Sequence, residues 1–210
     1  MYFNGIGLEQ NYAKAFELYS KAATKDYVYA QVKLGNIYLN GQGVEKDDQM
    51  TIYWYGRAAN HSENPNPQAM TMLGIAFLYG ELGLETSYID AYKWFTRATK
   101  SIGDISSAYY YIGNMYEDGL GFASNQQKAS KNYITAFSLG ANRGIKAAIE
   151  IAKSNREHAN VYLLSHTAIL MGVDERANKE SSGVHLTTAL KNQLELDAKT
   201  YVDTLNNAGS

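Results

Sequence analysis

No cysteine occurs in this chain of 210 residues, which excludes disulfides, thiolate metal sites and cysteine nucleophiles together. That absence fits a reducing compartment and an oxidising one alike. Proline is almost as scarce: Pro65 and Pro67 are the only two, both in the Asn-rich stretch 62–68, so nothing elsewhere interrupts a long helix. No apolar run approaches the ~18 residues of a membrane-spanning helix. No run of Lys or Arg stands out and the net charge is −2, so the electrostatic footprint of a nucleic-acid binder is missing. Also missing are His-Glu-x-x-His, Gly-x-Ser-x-Gly and Walker A sequences. With 45% apolar and 19% charged residues the chain is nonetheless globular, with a sizeable core.

What is abundant is tyrosine, 18 residues against 6 Phe and 2 Trp, and it falls on a repeat. Ala30, Ala69, Ala108 and Ala147 stand 39 residues apart. Leu34-Gly35, Leu73-Gly74 and Ile112-Gly113 keep the same step, as do Tyr38, Phe77 and Tyr116, and Gly41, Gly80 and Gly119. A second run opens at Ala15, Thr51, Ala91 and Ala129. Large residues follow three and four positions on (Leu18-Tyr19, Trp54-Tyr55, Trp94-Phe95, Asn132-Tyr133). Small ones follow at seven and eight (Ala22-Ala23, Ala58-Ala59, Ala98-Thr99, then Ala136-Phe137). Such spacings mark one face of an α-helix. Each repeat is therefore a helix A, a Gly-rich turn, a helix B and a connector. A glycine inside helix A costs about 1 kcal/mol against Ala, so its recurrence predicts an offset, close approach of helix B through its small Ala pairs. Gly41 and Gly43 supply positive φ at the turn, and Asp47 or Asp48 caps helix B.

The sequence Leu34-Gly35-xx-Tyr38-xx-Gly41-x-Gly43-Val44-x-Lys46-Asp47, followed by Trp54-Tyr55-xx-Ala58-Ala59, resembles the Sel1-like repeat, a longer-turn relative of the tetratricopeptide repeat. The match covers about residues 1–147. It weakens in the middle repeat, where Gly80-Glu-Leu-Gly83-Leu84 inserts a residue and Lys-Asp is lost, and again at 120–126. The resemblance implies an all-α fold, a right-handed α-solenoid of helix-turn-helix repeats. Residues 1–172 form the solenoid, its first repeat clipped and its last, at 147–172, degenerate. Within that last repeat helix A is expected at 147–153 and helix B at 159–171. Residues 173–183 read as a connector and 184–206 as a capping helix with the stripe Leu186, Leu190, Leu194, Ala198, Val202 and Leu205. The opening Met1–Gly7 matches the middle of a later repeat, so a trimmed chain, lacking any targeting segment, is expected.

Candidate chemistry is sparse. His158 and His166 are two helical turns apart, too far for shared metal ligation, and the four histidines, His61 and His185 included, read as surface or groove residues. Gly41-x-Gly43 and Gly119-x-Gly121 recur with the repeat and lack a preceding strand, so they read as turns rather than phosphate loops. Adjacent Asp47-Asp48 and Glu117-Asp118 do not face one another as paired catalytic carboxylates do. Asn60-His61-Ser62 is a glycosylation sequon, relevant only in a eukaryotic secretory pathway. No convergent titratable cluster is visible, so no catalytic residue, cofactor or metal is expected.

What remains is surface. In the families this chain resembles, helix A lines the inner, concave face. With Ala30, Leu34 and Tyr38 in the core, the other stripe faces a groove. Its expected partner-binding residues are Tyr29, Val32, Asn36 and Asn40, then Gln68, Thr71, Ile75 and Tyr79, then Tyr110, Asn114 and Glu117. Tyr29 and Tyr110 are equally compatible with packing between repeats. By resemblance, Asn36 and Asn114 would hydrogen-bond the backbone of an extended peptide, with Ile75 interrupting the ladder. The expected function is a bacterial scaffold or adaptor for a peptide or protein partner, more periplasmic or secreted than cytoplasmic. A hydrolase-type activity, as proposed for some Sel1-like proteins, and a self-assembling structural role are the alternatives.

Overall fold

The computed structural model describes residues 3, 9–184 and 186–208. Of the opening Met1–Gly7 segment only Phe3 is among them, and His185 is outside them. All regular structure among the described residues is helical, in eleven helices. The chain forms two compact bodies that divide after Tyr111. The first holds α1 (Tyr12–Ala23), α2 (Val28–Asn40), α3 (Asp48–Ala59), α4 (Pro67–Tyr79), α5 (Tyr88–Ala98) and the start of α6 (Ser106–Asp118). The second holds the rest of α6, then α7 (Gln126–Ser138), α8 (Asn142–Ser154), α9 (His158–Leu170), α10 (Arg176–Gly183) and α11 (Thr188–Ala208).

Helix A of the three complete repeats is α2, α4 and α6, whose starts at Val28, Pro67 and Ser106 keep the 39-residue step. Each following helix B starts from a side-chain cap. Asp47, rather than Asp48, caps α3, its Oδ1 accepting the Met50 N–H at 2.9 Å. Ser87 and Asn125 cap α5 and α7, and Asn66 caps α4 just ahead of Pro67 at its first position. Gly41, Gly80 and Gly119 end the A helices at φ 65°, 68° and 69°, the left-handed region. The cap residues then donate backward: Asp47 N–H to Tyr38 O at 3.1 Å, Ser87 to Phe77 O at 2.8 Å and Asn125 to Tyr116 O at 2.7 Å. The same carbonyl fixes the turn in all three repeats, so the extra residue at 80–87 is absorbed within the loop.

The helix A glycines do make room for helix B, but not for its Ala pairs. A Cβ on Gly35 would lie 2.5 Å from Tyr55 Cε1, and one on Gly74 or Gly113 equally close to Phe95 or Tyr133. The partner is thus the second large residue of helix B, a fully buried ring packed close against the glycine. The Ala58-Ala59 pair is also buried, as part of the same core.

The fourth step is shorter. Helix α8 begins 36 residues after α6, so it starts at Asn142 instead of 147, and α9 spans His158–Leu170. The third helical position, held by Ala30, Ala69 and Ala108, is here Gly144, and Ala147 lies one turn later, half-buried. Its place in the 39-residue series is therefore a coincidence of composition. The cause is local: a Cβ on Gly144 would collide with the Tyr133 carbonyl oxygen of α7. The α7–α8 pair is packed backbone against backbone, which the first repeats do not do at this position. The α8–α9 turn is only Asn155–Glu157, with Arg156 rather than glycine at φ 59°.

In the expected connector, Arg176–Gly183 is helical, and the last helix begins at Thr188 rather than at 184. Of its expected stripe Ala198 and Val202 are buried, Leu186, Leu194 and Leu205 half-buried, and Leu190 exposed. Helix α11 packs on α9, as does α10.

Candidate functional site

Helix A is packed on two sides: α2 contacts α1 and α3, and α4 contacts α3 and α5. It therefore has two buried stripes, and its exposed stripe is narrower than the sequence suggests. Val32 at 3% exposure and Thr71 at 5% belong to the buried stripes and leave the candidate surface. Thr71 turns its hydroxyl to Pro67 O in its own helix, at 2.8 Å. Tyr110, on the same track, is half-buried and edge-on to Tyr111, whose ring stacks on Phe95 at 5.3 Å. Exposed are Tyr29, Asn40, Gln68, Tyr79 and Glu117, while Asn36, Ile75 and Asn114 are half-buried. Tyr29 reaches Tyr19 at 6.5 Å between ring centres and has Lys33 Nζ over its face at 5.0 Å, yet 66% of it remains exposed.

The two asparagines are not free amides. Tyr55 donates its hydroxyl to Asn36 Oδ1 at 2.6 Å. Tyr133 lies 2.7 Å from Asn114 Oδ1 and 2.5 Å from Glu117 Oε2. Burial raises the Tyr55 pKa well above the ordinary phenol range, so it stays a donor. In the middle repeat Phe95 replaces the tyrosine and Ile75 replaces the asparagine. The amide and the hydroxyl come and go together: Asn36 with Tyr55, Asn114 with Tyr133, Ile75 with Phe95. That covariation is written in the sequence at spacings of 19, 19 and 20 (one more for the longer turn), and it was the available sign that Asn36 and Asn114 are oriented by helix B. With Oδ1 of Asn36 engaged, its Nδ2 is the group left to donate outward.

At the other end of the helices Asp26, at φ 67°, gathers Arg57 and Gln31 at 2.7 Å each and His61 at 3.4 Å. Arg97, at the position of Arg57 one repeat later, donates to Asn60 Oδ1 at 2.7 Å and Ala59 O at 2.9 Å. These arginines tie one repeat's helix B to the preceding connector or helix end. Asn60 also donates to Gly56 O at 2.9 Å, so both ends of the sequon amide are engaged.

A titratable cluster does form, contrary to the sequence expectation, because it is assembled from three helices remote in sequence. Tyr162 of α9 donates to Glu195 of α11 at 2.6 Å, and Lys179 of α10 meets the same oxygen at 2.8 Å. Lys179 also lies over the Tyr162 ring at 5.2 Å. Hydrogen bonds from Lys179, then Tyr162, hold the Glu195 pKa down. Burial, then Glu195, pushes Tyr162 up to about 12. Burial and Lys179 lower His166, with Glu195 opposing. Glu195 is thus held charged and Tyr162 held protonated through pH 7, so neither is poised to exchange a proton there. The arrangement acts as a latch holding α10 and α11 to α9. Its pH dependence follows from the signs. Glu195 is lowered in the folded state, so its contribution is present above its unfolded value and lost as pH falls through the folded one. The depressed His166 makes the unfolded state the better proton binder below about 6.5. Both terms weaken the fold on acidification, so the melting temperature should fall from pH 7 to pH 4. Glu195→Gln should lower it at pH 7 and flatten the decline below pH 5, measured by thermal melts across that range. Among the described residues no group of His, Asp and Glu could hold a metal ion, and no helix is long and apolar enough to cross a membrane.

The Sel1 repeat profile matches residues 1–27, 28–62, 67–101 and 106–140, stopping where the helix spacing changes. Chitin synthase regulatory factor 3 of Schizosaccharomyces pombe is 31% identical over 153 residues, 72% of this chain but 16% of that protein. Chitin synthase regulator SKT5 of Saccharomyces cerevisiae is 26% identical over 133 residues, 60% of this chain and 19% of that one. The chain thus spans less than a fifth of the length of these two relatives. A crystal structure of a Sel1 repeat protein from Oxalobacter formigenes superposes with a TM-score of 0.61 at 30% identity, over 71% of this chain and 59% of that one. The chain belongs to the Sel1 repeat family, and its fold class is the all-α repeat solenoid of that family.

Proposed function

We propose that this chain is an interaction module that holds a protein partner on the exposed stripe of its A helices, the concave side in repeats of this kind. The observation that carries the reading is the set Tyr29, Asn40, Gln68 and Tyr79 on α2 and α4. These are large or amide side chains at the surface of one body, presented by rigid helices rather than loops. Tyrosine offers wide contact area and a polar tip at small entropic cost, and amides pair with peptide backbone. Asn36 joins them through Nδ2, held in one orientation by Tyr55. Relatives named as regulators of an enzyme support an adaptor role, since a regulator acts by engaging another protein. Asn114 and Glu117 form the corresponding surface of the second body.

The test uses Tyr29→Ala with Tyr79→Ala, which removes exposed rings without opening the core. Melting temperature should stay within about 2 °C of wild type, because exposed substitutions change stability by only about ±0.5 kcal/mol. Recovery of co-purifying proteins from cells, measured by quantitative mass spectrometry, should drop about tenfold, as for loss of an interface anchor. An unchanged set of captured proteins would remove this face from consideration.

A further inference from the structure

We propose that the second body carries a separate binding site, a groove between α7 and α9 that takes an extended peptide with one large apolar side chain beside a basic residue. One end of the groove is a cavity of about 220 Å³. It is walled by Ile134 and Phe137 of α7, Ile145 of α8, and Leu163, Leu164 and Thr167 of α9. The Thr167 hydroxyl is satisfied within α9, donating to Leu163 O at 2.9 Å, so it adds no unpaired polar group. An engineered apolar cavity of about 150 Å³ stays dry and binds benzene. This one is larger, and it suits a side chain of the size of Leu, Phe or an indole.

The other end differs in chemistry. It shares Ile134, Leu163 and Leu164 with the cavity and runs on past the first turns of α7 and the α8–α9 turn. There Gln126, Gln127, Asn155, Glu157 and Asn160 line it, with Lys131, which lines this end and not the cavity. Asn155 and Asn160 donate their Nδ2 to Glu157 at 3.3 and 2.7 Å, which leaves Oδ1 of each to accept a backbone N–H. A purely apolar ligand would gain nothing from that stretch, whereas a peptide backbone needs amide partners along its length. Charge sets the neighbour of the apolar anchor. Asp197 of α11 stands with Tyr201 at the cavity rim. One Asp197 oxygen accepts from Gln193 Nε2 at 2.7 Å, and no ion pair involves this carboxylate among the described residues. A Lys or Arg next to the anchor would supply that cation. The site lies in the other body from Tyr29 and Tyr79, and it rests on the proposed function only for the kind of partner.

The probe is acetyl-Ser-Ala-Leu-Lys-Ala-Ser-amide, titrated into the full chain labelled with nitrogen-15. Saturable shifts are expected at the amides of Leu163, Leu164, Thr167 and Asp197. Replacing the peptide's Leu by Ser should weaken binding at least tenfold. Asp197→Asn should weaken the Lys peptide about threefold, as for an exposed ion pair, and should make Lys and norleucine peptides equal. Thr167→Leu, which fills the cavity, should abolish binding without lowering the melting temperature. Tyr29→Ala with Tyr79→Ala should leave this binding unchanged, so either surface can fail on its own. The proposal is overturned by shifts elsewhere, by equal affinity for the Ser peptide, or by free indole filling the cavity with no gain from a peptide.

Discussion

Gly144→Ala should destabilise the second body by about 3 kcal/mol, although alanine is the better helix former. In an unconstrained helix interior the same change stabilises by up to about 1 kcal/mol. Here the added Cβ would overlap the Tyr133 carbonyl oxygen and lie 3.1 Å from the Phe137 backbone nitrogen. Neither is a side chain that can rotate away. Helices α7 and α8 must part, and with them the buried contacts of Phe137 with Ile145 and Ile149. Overpacking of this kind costs roughly 1–3 kcal/mol and more where backbone must move, which outweighs the propensity gain. Gly56→Ala is the internal control. It sits in the interior of α3 with nothing within 4 Å of its would-be Cβ, so it should stabilise by up to about 1 kcal/mol. Urea denaturation of both variants should show opposite signs, and loss of stability in Gly56→Ala would refute the packing account. Gly35, Gly74 and Gly113 fall between these extremes, because what their Cβ would meet is a ring rather than backbone.

The difference between these glycines explains what the sequence made legible. A fixed period reports features that every repeat needs: the cap at Asp47, the left-handed Gly41, the aromatic at Tyr38 whose carbonyl closes the turn. Each is a local requirement repeated at the same distance, so arithmetic finds it. Burial on helix A is harder, since Val32 and Thr71, three residues before Gly35 and Gly74, lie on the face those glycines turn to Tyr55 and Phe95. A pattern read along one helix identifies one buried stripe and misses the second. The end of the repeat was obscured for a related reason. Ala147 prolonged the period by chance, while the real change was a shorter connector that replaced Ala by Gly at the third helical position. The latch of Tyr162, Lys179 and Glu195 had no sequence sign at all. Its members are spaced by tertiary packing, with no recurring distance to betray them.

The pairing of Asn36 with Tyr55 can be separated into its parts by a double-mutant cycle within the first body. Asn36→Ile leaves the Tyr55 hydroxyl without an acceptor in a fully buried site, which should cost about 2 kcal/mol. Tyr55→Phe leaves a half-buried amide that can still reach water, so its cost should be nearer 1 kcal/mol. Together the two substitutions reproduce the Ile75–Phe95 pair that the next repeat already uses against the same glycine track. The double variant should therefore return to within about 0.5 kcal/mol of wild type, a coupling of roughly 2.5 to 3 kcal/mol between the positions. Denaturant titration of the four proteins measures it, and simple additivity of the single costs would show the hydrogen bond to be incidental. The same double variant also separates stability from recognition. It keeps the fold while removing the Nδ2 donor, so if Asn36 contributes to partner binding, binding should weaken although the chain melts as wild type. A repeat needs one satisfied pair at this position for its fold, and either pair serves; only the asparagine version presents a donor at the surface.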